Sequence, residues 1–376
     1  MKLLFISTMA GSPWGGSEEL WSQTALHLKE EGHEVSAVVK WWPELSPKIN
    51  ALADAGINLL LIKPLEKGLL GRVFRRIKLS ILKIKDFETH WLLSKKPDLV
   101  IISQGGISDG LTWMERCNKY GFPYIVKVSC NFEHIWPSDQ EADRLAASYK
   151  KAKRIYFVSH RNHNLLENQI GYELRNAKII WSQCRVIDSK SVPWPDTSMG
   201  FRMACVGRLD TISKGQDILL QVLSSEKWRK REIILNIYGQ GQSQNVLMRH
   251  AKRLNLDNVF FKGHVNDIKE IWNENHILVM PSRYEGLPLA LLEAMWAARP
   301  AVVTDVGGSA EVCEEGVTGF IADAPTCKLF DIALENAWEK RLEWENIGIN
   351  AKKHVEANID KNPTISLGNE IVMLAQ

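Results

Sequence analysis

The feature that most limits what this chain can fold into is a rhythm. Short apolar runs alternate with helix-length amphipathic segments. In the first half the runs are KLLFIST (2–8), EVSAVVK (34–40), INLLLIK (57–63), DLVIIS (98–103), YIVKVSC (124–130), RIYFVSH (154–160) and AKIIWSQ (177–183). A strand that is apolar nearly throughout is buried on both faces, and such strands belong to parallel sheets covered by helices. The rhythm breaks at SKSVPWPDTSMG (189–200), where Pro193 and Pro195 stand among serines and a closing glycine. Such composition predicts a linker. It restarts with FRMACVGRL (201–209), EIILNIYGQG (232–241), NVFFKGHV (258–265), HILVMPS (276–282), PAVVTDVGG (300–308) and GFIAD (319–323). Two doubly wound, Rossmann-like α/β domains in series are predicted, 1–188 and 201–355. The C-terminal segment 356–376 is expected to form a helix packing back on the first domain. A chain of 376 residues has room for roughly two domains of about 150 residues each.

Ligands of open α/β sheets bind outside the carboxyl ends of the strands. Two such domains facing one another would form a cleft. Charge argues against a nucleic-acid partner, since the net value is only +3. Six cysteines, at 117, 130, 184, 205, 313 and 327, form no CxxC pair and predict reduced thiols. The opening MKLLFIST has too short an apolar run for a signal peptide and predicts a first strand. No stretch reaches the ~18 apolar residues of a membrane span. A cytoplasmic protein is expected.

One helix is anomalous. In RYEGLPLALLEAM (283–295) Glu285 and Glu293 are separated only by Gly, Leu, Pro and Ala. So apolar a helix is made for burial, and a buried carboxylate must be paired or hydrogen-bonded. Pro288 suits the first helical position, where its missing N–H costs nothing. The free amides of Leu289 and its neighbours would then make an anion site with the helix dipole. Gly286 lets backbone approach a ligand. Upstream, Arg208 and Lys214 stand six positions apart after the strand MACV, a pair suited to clamping a diphosphate. In isolation they read first as solvated loop charges.

Taken together, VGRLDTISKGQDILL, GHVNDIKEIW, PSRYEGLPLALLEAMWAARPAVVTDVGGSAEV and GVTGFIAD resemble the C-terminal half of a GT-B glycosyltransferase, of the retaining family called GT4. The resemblance is strong over roughly 201–325. GSPWGGSEELWSQTALHLKEEGHEV resembles the family's N-terminal glycine loop and first helix. It implies a retaining, metal-independent transferase without a cofactor, taking a nucleotide-diphosphate sugar, UDP-glucose as the first choice. The acceptor implied is a polysaccharide or a lipid-linked oligosaccharide. Glu293 would hold the ribose and Glu285 the transferred sugar. Gly286, Leu287 and Leu289 would hold phosphate and sugar oxygens. Gly263, His264 and Val265 would lie against the base, and Gly15 and Gly16 would approach the donor from the other domain. Arg208 and Lys214 would neutralise the leaving diphosphate. No Asp-x-Asp sequence for a diphosphate-bound metal occurs.

The catalytic side departs from the family pattern. Relatives often end the fifth strand on a histidine, whereas here the chain reads KVSCNFEHIWPSD. His134 is the first candidate to face the reacting carbon and Asn131 the second; Cys130 stands near the same place and His160 ends the next strand. Arg185 is a candidate phosphate contact or a hinge residue. Glu18 and Glu19 either belong to the site or complement the dipole of the helix they begin. The segment 67–87 has seven Lys/Arg with apolar residues at helical spacing. It reads as peripheral contact with an anionic membrane at its inner face, or as an ordinary surface helix. A nucleotide-sugar epimerase of the same fold and a non-catalytic nucleotide-sugar-binding protein are the rival readings. A dehydrogenase ranks last, because no strand leads into a full GxGxxG.

Overall fold

The computed structural model describes residues 1–63, 87–182, 184, 192–198 and 200–376. The basic segment 67–87, except its last residue, and Arg185 lie outside the described residues. The chain divides into two compact units, Met1–Gln183 with Asn362–Gln376, and Cys184–Lys361.

The first unit is a parallel sheet of seven strands in the order β3-β2-β1-β4-β5-β6-β7. These are β1 (Lys2–Ser7), β2 (Glu34–Lys40), β3 (Asn58–Ile62), β4 (Leu99–Gln104), β5 (Tyr124–Val128), β6 (Arg154–Phe157) and β7 (Ala177–Ile179). Each apolar run of the first half becomes one strand. The last run, AKIIWSQ, pairs over only three residues, on β6 alone, as suits an edge strand. Side chains alternate along the strands. Leu3, Phe5, Val35, Ala37, Val39 and Ile125 face a core shared with α1 (Gly16–Glu30) through Leu20, Trp21 and Leu28. Leu4, Ile6, Val38, Val100 and Val126 face the opposite core.

The C-terminal helix Pro363–Ala375 completes the first of these cores with Leu367 and Ile371. Its Glu370 accepts a hydrogen bond from the Tyr156 hydroxyl at 2.6 Å and pairs with Lys178. The tail of the chain thereby belongs to the first unit, from Asn362 onward.

The second unit has six parallel strands in the order β10-β9-β8-β11-β12-β13. They are β8 (Phe201–Val206), β9 (Ile233–Tyr238), β10 (Val259–Gly263), β11 (Ile277–Met280), β12 (Ala301–Thr304) and β13 (Phe320–Ala322). In each sheet the strand order reverses once, between β1 and β4 and between β8 and β11. Loops leaving neighbouring strands there go to opposite sides and leave room for a ligand.

The predicted linker is not a free connector. The second unit begins at Cys184, so the boundary falls after Gln183 and not after residue 188, and residues 192–195 pack within that unit. Arg299 is the cause. It is buried, and its guanidinium donates to the carbonyls of Pro193 (2.6 Å), Trp272 (2.7 Å), Ala297 (2.8 Å) and Asn275 (3.0 Å). It also lies 5.0 Å from the Trp194 ring centroid. Burial pushes its pKa down to about 10, yet it stays charged at neutral pH. Nearby His276 is buried too. Its Nδ1 accepts the Arg202 N–H at 2.9 Å, and Nε2–H donates to the Pro195 carbonyl at 3.2 Å. Burial lowers its pKa to about 4, which keeps the ring neutral as these bonds require.

Replacing Arg299 by Met leaves several buried carbonyls without donors, at about 1–3 kcal/mol for each unsatisfied group. Urea unfolding of the full chain should show Arg299→Met less stable by at least about 3 kcal/mol. An unchanged midpoint would remove Arg299 as the staple of residues 192–195.

Candidate functional site

In the second unit β8 and β11 are neighbours, and the loops leaving their carboxyl ends touch. After β8 come Gly207 and Arg208, then a single helical turn, Thr211–Lys214, capped by Asp210, whose Oδ1 accepts the Ile212 N–H. Gly215 follows in the left-handed region at φ +63°, and a Cβ there would stand 2.1 Å from the Pro281 carbonyl oxygen. Only glycine permits that approach. It delivers Lys214 to the loop after β11. The Lys214 Nζ lies 2.6 Å from Glu285 Oε1, which also accepts from Ser282 Oγ at 2.8 Å. Glu285 is 7% exposed, so its charge is compensated as burial demands.

The same loop is fastened on both flanks. Arg283 makes a two-pronged bond to Asp217 at 2.8 and 2.7 Å, and its amide donates to the Ser213 carbonyl at 2.8 Å. Burial pushes the Asp217 carboxyl up, but the hydrogen bonds and charge of Arg283 outweigh it and hold the pKa low. On the other flank the Gly308 amide donates to the Gly286 carbonyl at 2.7 Å. Gly307, at φ +53°, passes so close that a Cβ would meet the Glu285 carbonyl oxygen at 2.1 Å. Neither Arg283 nor Gly307 stands out in the sequence; an arginine beside Glu285 and a GG pair after β12 are the only signals.

The apolar helix spans Leu289–Trp296. Pro288 is its cap, at φ −73° and ψ 114°, and not its first residue. The extended ψ places it one step outside the helix, and its carbonyl accepts from Leu291 at 3.1 Å. Leu289 and Ala290 therefore carry the first helical amides, beyond the reach of any intrahelical acceptor. Glu293 is half-buried in the next turn, while Leu291, Leu292, Ala294 and Met295 are buried. Leu287 is buried beside the loop. Arg208 differs from Lys214: its side chain is 54% exposed, with Asp210 4.0 Å away. Gly263, at φ +74°, ends β10, followed by exposed His264 and half-buried Val265. They share the carboxyl edge with Lys214 and Glu285, two strands or about 10 Å from β8.

In the first unit Gly15 caps α1, and Gly16 opens it. Glu18 and Glu19 part company there. Glu18 is buried and accepts from Ser7 Oγ at 2.6 Å, at the end of β1. Glu19 accepts from Trp14 Nε1 at 2.7 Å and pairs with Lys48. Beneath the turn lies Lys127, 2% exposed on β5, a residue that the sequence pattern does not single out. Its only signal is a lone lysine inside YIVKVSC. Its ammonium donates to the Ser17 carbonyl at 3.2 Å and to Ser129 Oγ at 2.8 Å. Burial lowers its pKa to about 8, against the opposing charge of Glu18. Burial also raises the Glu18 carboxyl, with the Ser7 hydrogen bond opposing.

The two catalytic candidates fall in different settings. Asn131 is buried; its Nδ2 donates to Gln169 Oε1 at 2.8 Å and its Oδ1 accepts from the Phe132 amide at 2.7 Å. It is a strut of the loop, with its amide already committed. His134 is exposed in the same loop, its ring 6.1 Å from that of Phe132. Cys130 is half-buried, and His160 is the exposed first residue of the helix His160–Ile170. Among the described residues no helix is long and apolar enough to cross a membrane.

The profile of the family described as "Glycosyl transferases group 1" matches residues 200–339. The O-antigen biosynthesis glycosyltransferase WbnH of Escherichia coli is 33% identical over 75% of this chain and 81% of its own. The amylovoran biosynthesis glycosyltransferase AmsD of Erwinia amylovora is 30% identical over 69% of this chain and 74% of its own. Five other curated relatives are matched over less than half of their own length. Among solved structures, Anabaena HepE in complex with UDP and glucose superposes with a TM-score of 0.72, covering 99% of this chain and 98% of that one at 17% identity.

Lys127 yields a pH test. The unfolded chain holds its proton up to about 10.5 and the folded chain only to about 8. Between those values the unfolded state binds more protons, so this residue's contribution to stability improves as pH rises. The stability of wild type minus that of Lys127→Met should climb from pH about 8 to about 10.5 in denaturant titrations. A difference that stays flat across that window would contradict the buried position.

Proposed function

The chain belongs to the group 1 glycosyltransferases, with the GT-B fold, and on that premise we propose a retaining, metal-independent transfer from a nucleotide-diphosphate sugar to a glycan acceptor. The observation that carries the reading is the meeting of Lys214, Glu285 and the start of the helix Leu289–Trp296 at one sheet edge. A cation, a buried carboxylate and free amides are there presented together. Arg208 and Lys214 would take the charge of the departing diphosphate, with the amides of Leu289 and Ala290 beside them. Glu285 would receive sugar hydroxyls, and Glu293 those of the ribose. The acceptor hydroxyl would attack the anomeric carbon on the face the diphosphate leaves, the new glycosidic bond forming as the sugar–phosphate bond breaks, with the hydroxyl's proton passing to the departing phosphate oxygen. Binding energy from the nucleotide would hold that carbon in place.

UDP-glucose is the donor we favour. The UDP and glucose bound by HepE support it, and the named roles of WbnH and AmsD in O-antigen and amylovoran biosynthesis support a glycan acceptor. His134, exposed in the loop after β5, is our first candidate to face the reacting carbon, and Asn131 the second. Lysine, arginine and helix amides can supply the positive charge that a metal supplies elsewhere.

Glu293→Ala keeps the helix, since alanine is the best helix former. Calorimetry should show UDP-glucose binding weakened by about tenfold or more, the loss expected for hydrogen bonds to a charged group. Unchanged affinity would sink the assignment of Glu293. Sugar transfer should also proceed undiminished in EDTA; abolition by EDTA with rescue by Mg²⁺ or Mn²⁺ would refute metal independence.

A further inference from the structure

Three tryptophans stand at the carboxyl edge of the first sheet on its β1–β2–β3 side. Trp14 precedes α1, and Trp41 and Trp42 follow β2 directly. Each has a lysine ammonium near its ring: Lys48 at 5.5 Å from the Trp14 centroid, Lys63 at 5.8 Å from Trp41, and Lys40 at 5.1 Å from Trp42. Trp41 prolongs the ladder, its N–H donating to the Ile62 carbonyl at 2.9 Å. By strand alternation it follows Val35, Ala37 and Val39 onto the face that carries α1. Lys63 follows Leu59 and Leu61 onto that face, where Trp14 is already half-buried. Trp14 and Trp41, with Lys48 and Lys63, therefore share one side of the edge, next to the Gly15–Gly16 turn.

These rings do not close themselves off as a core tryptophan does. Trp21, in the adjoining core, is 1% exposed, whereas Trp14, Trp41 and Trp42 all keep part of their surface open. Trp14 is held in place by Glu19, which also neutralises Lys48. Among the described residues no carboxylate pairs with Lys40 or Lys63. An indole offers a flat apolar face with a polar tip, the surface that packs on the C–H face of a pyranose. An ammonium is drawn more strongly to an anion than to an indole. A lipid surface would be met by rings standing clear of the protein, which these do not.

We infer that this edge is a saccharide subsite selective for an acidic sugar, one bearing a carboxylate or a phosphate, within the acceptor. The inference rests on the glycosyltransferase reading for the acceptor's being a saccharide. Trp41 and Trp14 supply the stacking surface and Lys63, with Lys40 on the far side of the strand end, supplies the charge preference.

Calorimetry on the full chain tests it with three probes: an oligosaccharide containing glucuronate, one containing a sugar phosphate, and a neutral one of equal length. At low salt one acidic probe should bind about tenfold tighter than the neutral one, with the preference shrinking as salt screens it. The arm that wins tells carboxylate from phosphate. Lys40→Ala with Lys63→Ala should bring the acidic probe down to the neutral affinity. Trp41→Ala should weaken both, and UDP binding should be unchanged in every variant, which reports an intact fold. Equal binding of acidic and neutral probes overturns the inference, as does selectivity that survives the lysine substitutions. So does binding to phosphatidylglycerol vesicles through Trp41 without saccharide selectivity. Failure of the glycosyltransferase reading looks different: no UDP-glucose binding or turnover at all.

Discussion

Backbone pressed against backbone at the carboxyl edge of the second sheet is the constraint on which the candidate donor site depends. Gly215 rides on the Pro281 carbonyl and Gly307 on that of Glu285, each in a conformation and at a distance that exclude a side chain. Those contacts set the loops after β8, β11 and β12 against one another. The Lys214–Glu285 bond follows from that placement, because a lysine and a glutamate 71 positions apart meet only when their loops do. Arg283 on Asp217 then stops the loop after β11 from swinging. A buried carboxylate is tolerable here because a cation and the Ser282 hydroxyl reach it together.

The first unit meets the same problem with another device. Its charge at the sheet edge comes from a strand and not from a loop. Lys127 lies inside β5 and holds the first turn of α1 through the Ser17 carbonyl, while Glu18 is fixed by Ser7. Both groups are pushed toward their neutral forms by burial. The glycine turn above them owes its position to this buried polar layer. In the second unit another buried cation, Arg299, acts structurally. It binds the carbonyls of Pro193, Trp272 and Asn275, and so draws the linker into that unit.

Much of this architecture is legible in the sequence. Apolar runs of strand length bounded by amphipathic segments have few solutions other than parallel sheets, and each of the runs became a strand. Glu285 and Glu293 stand out because a carboxylate inside an apolar helix, or in the apolar turn that leads into it, needs an explanation. Boundaries were less legible. Pro288 proved to cap its helix, since a one-residue shift changes no hydrophobic pattern, and the linker's affiliation depended on an arginine about a hundred residues away. Lys127 is easily missed because a single charge in an apolar strand looks like an interruption until its partners are known.

Sequence alone determined the fold class, the two-unit series and the kinds of residue that could bind a nucleotide sugar. These follow from local periodicity and from the chemistry of single side chains. Only the tertiary structure decided that Lys214 bonds Glu285, that Asn131 is a strut while His134 is exposed, and that Lys127 lies beneath the glycine turn. Each of those facts concerns groups far apart along the chain. Their meeting is set by strand order and by close packing of loops, which no local pattern records.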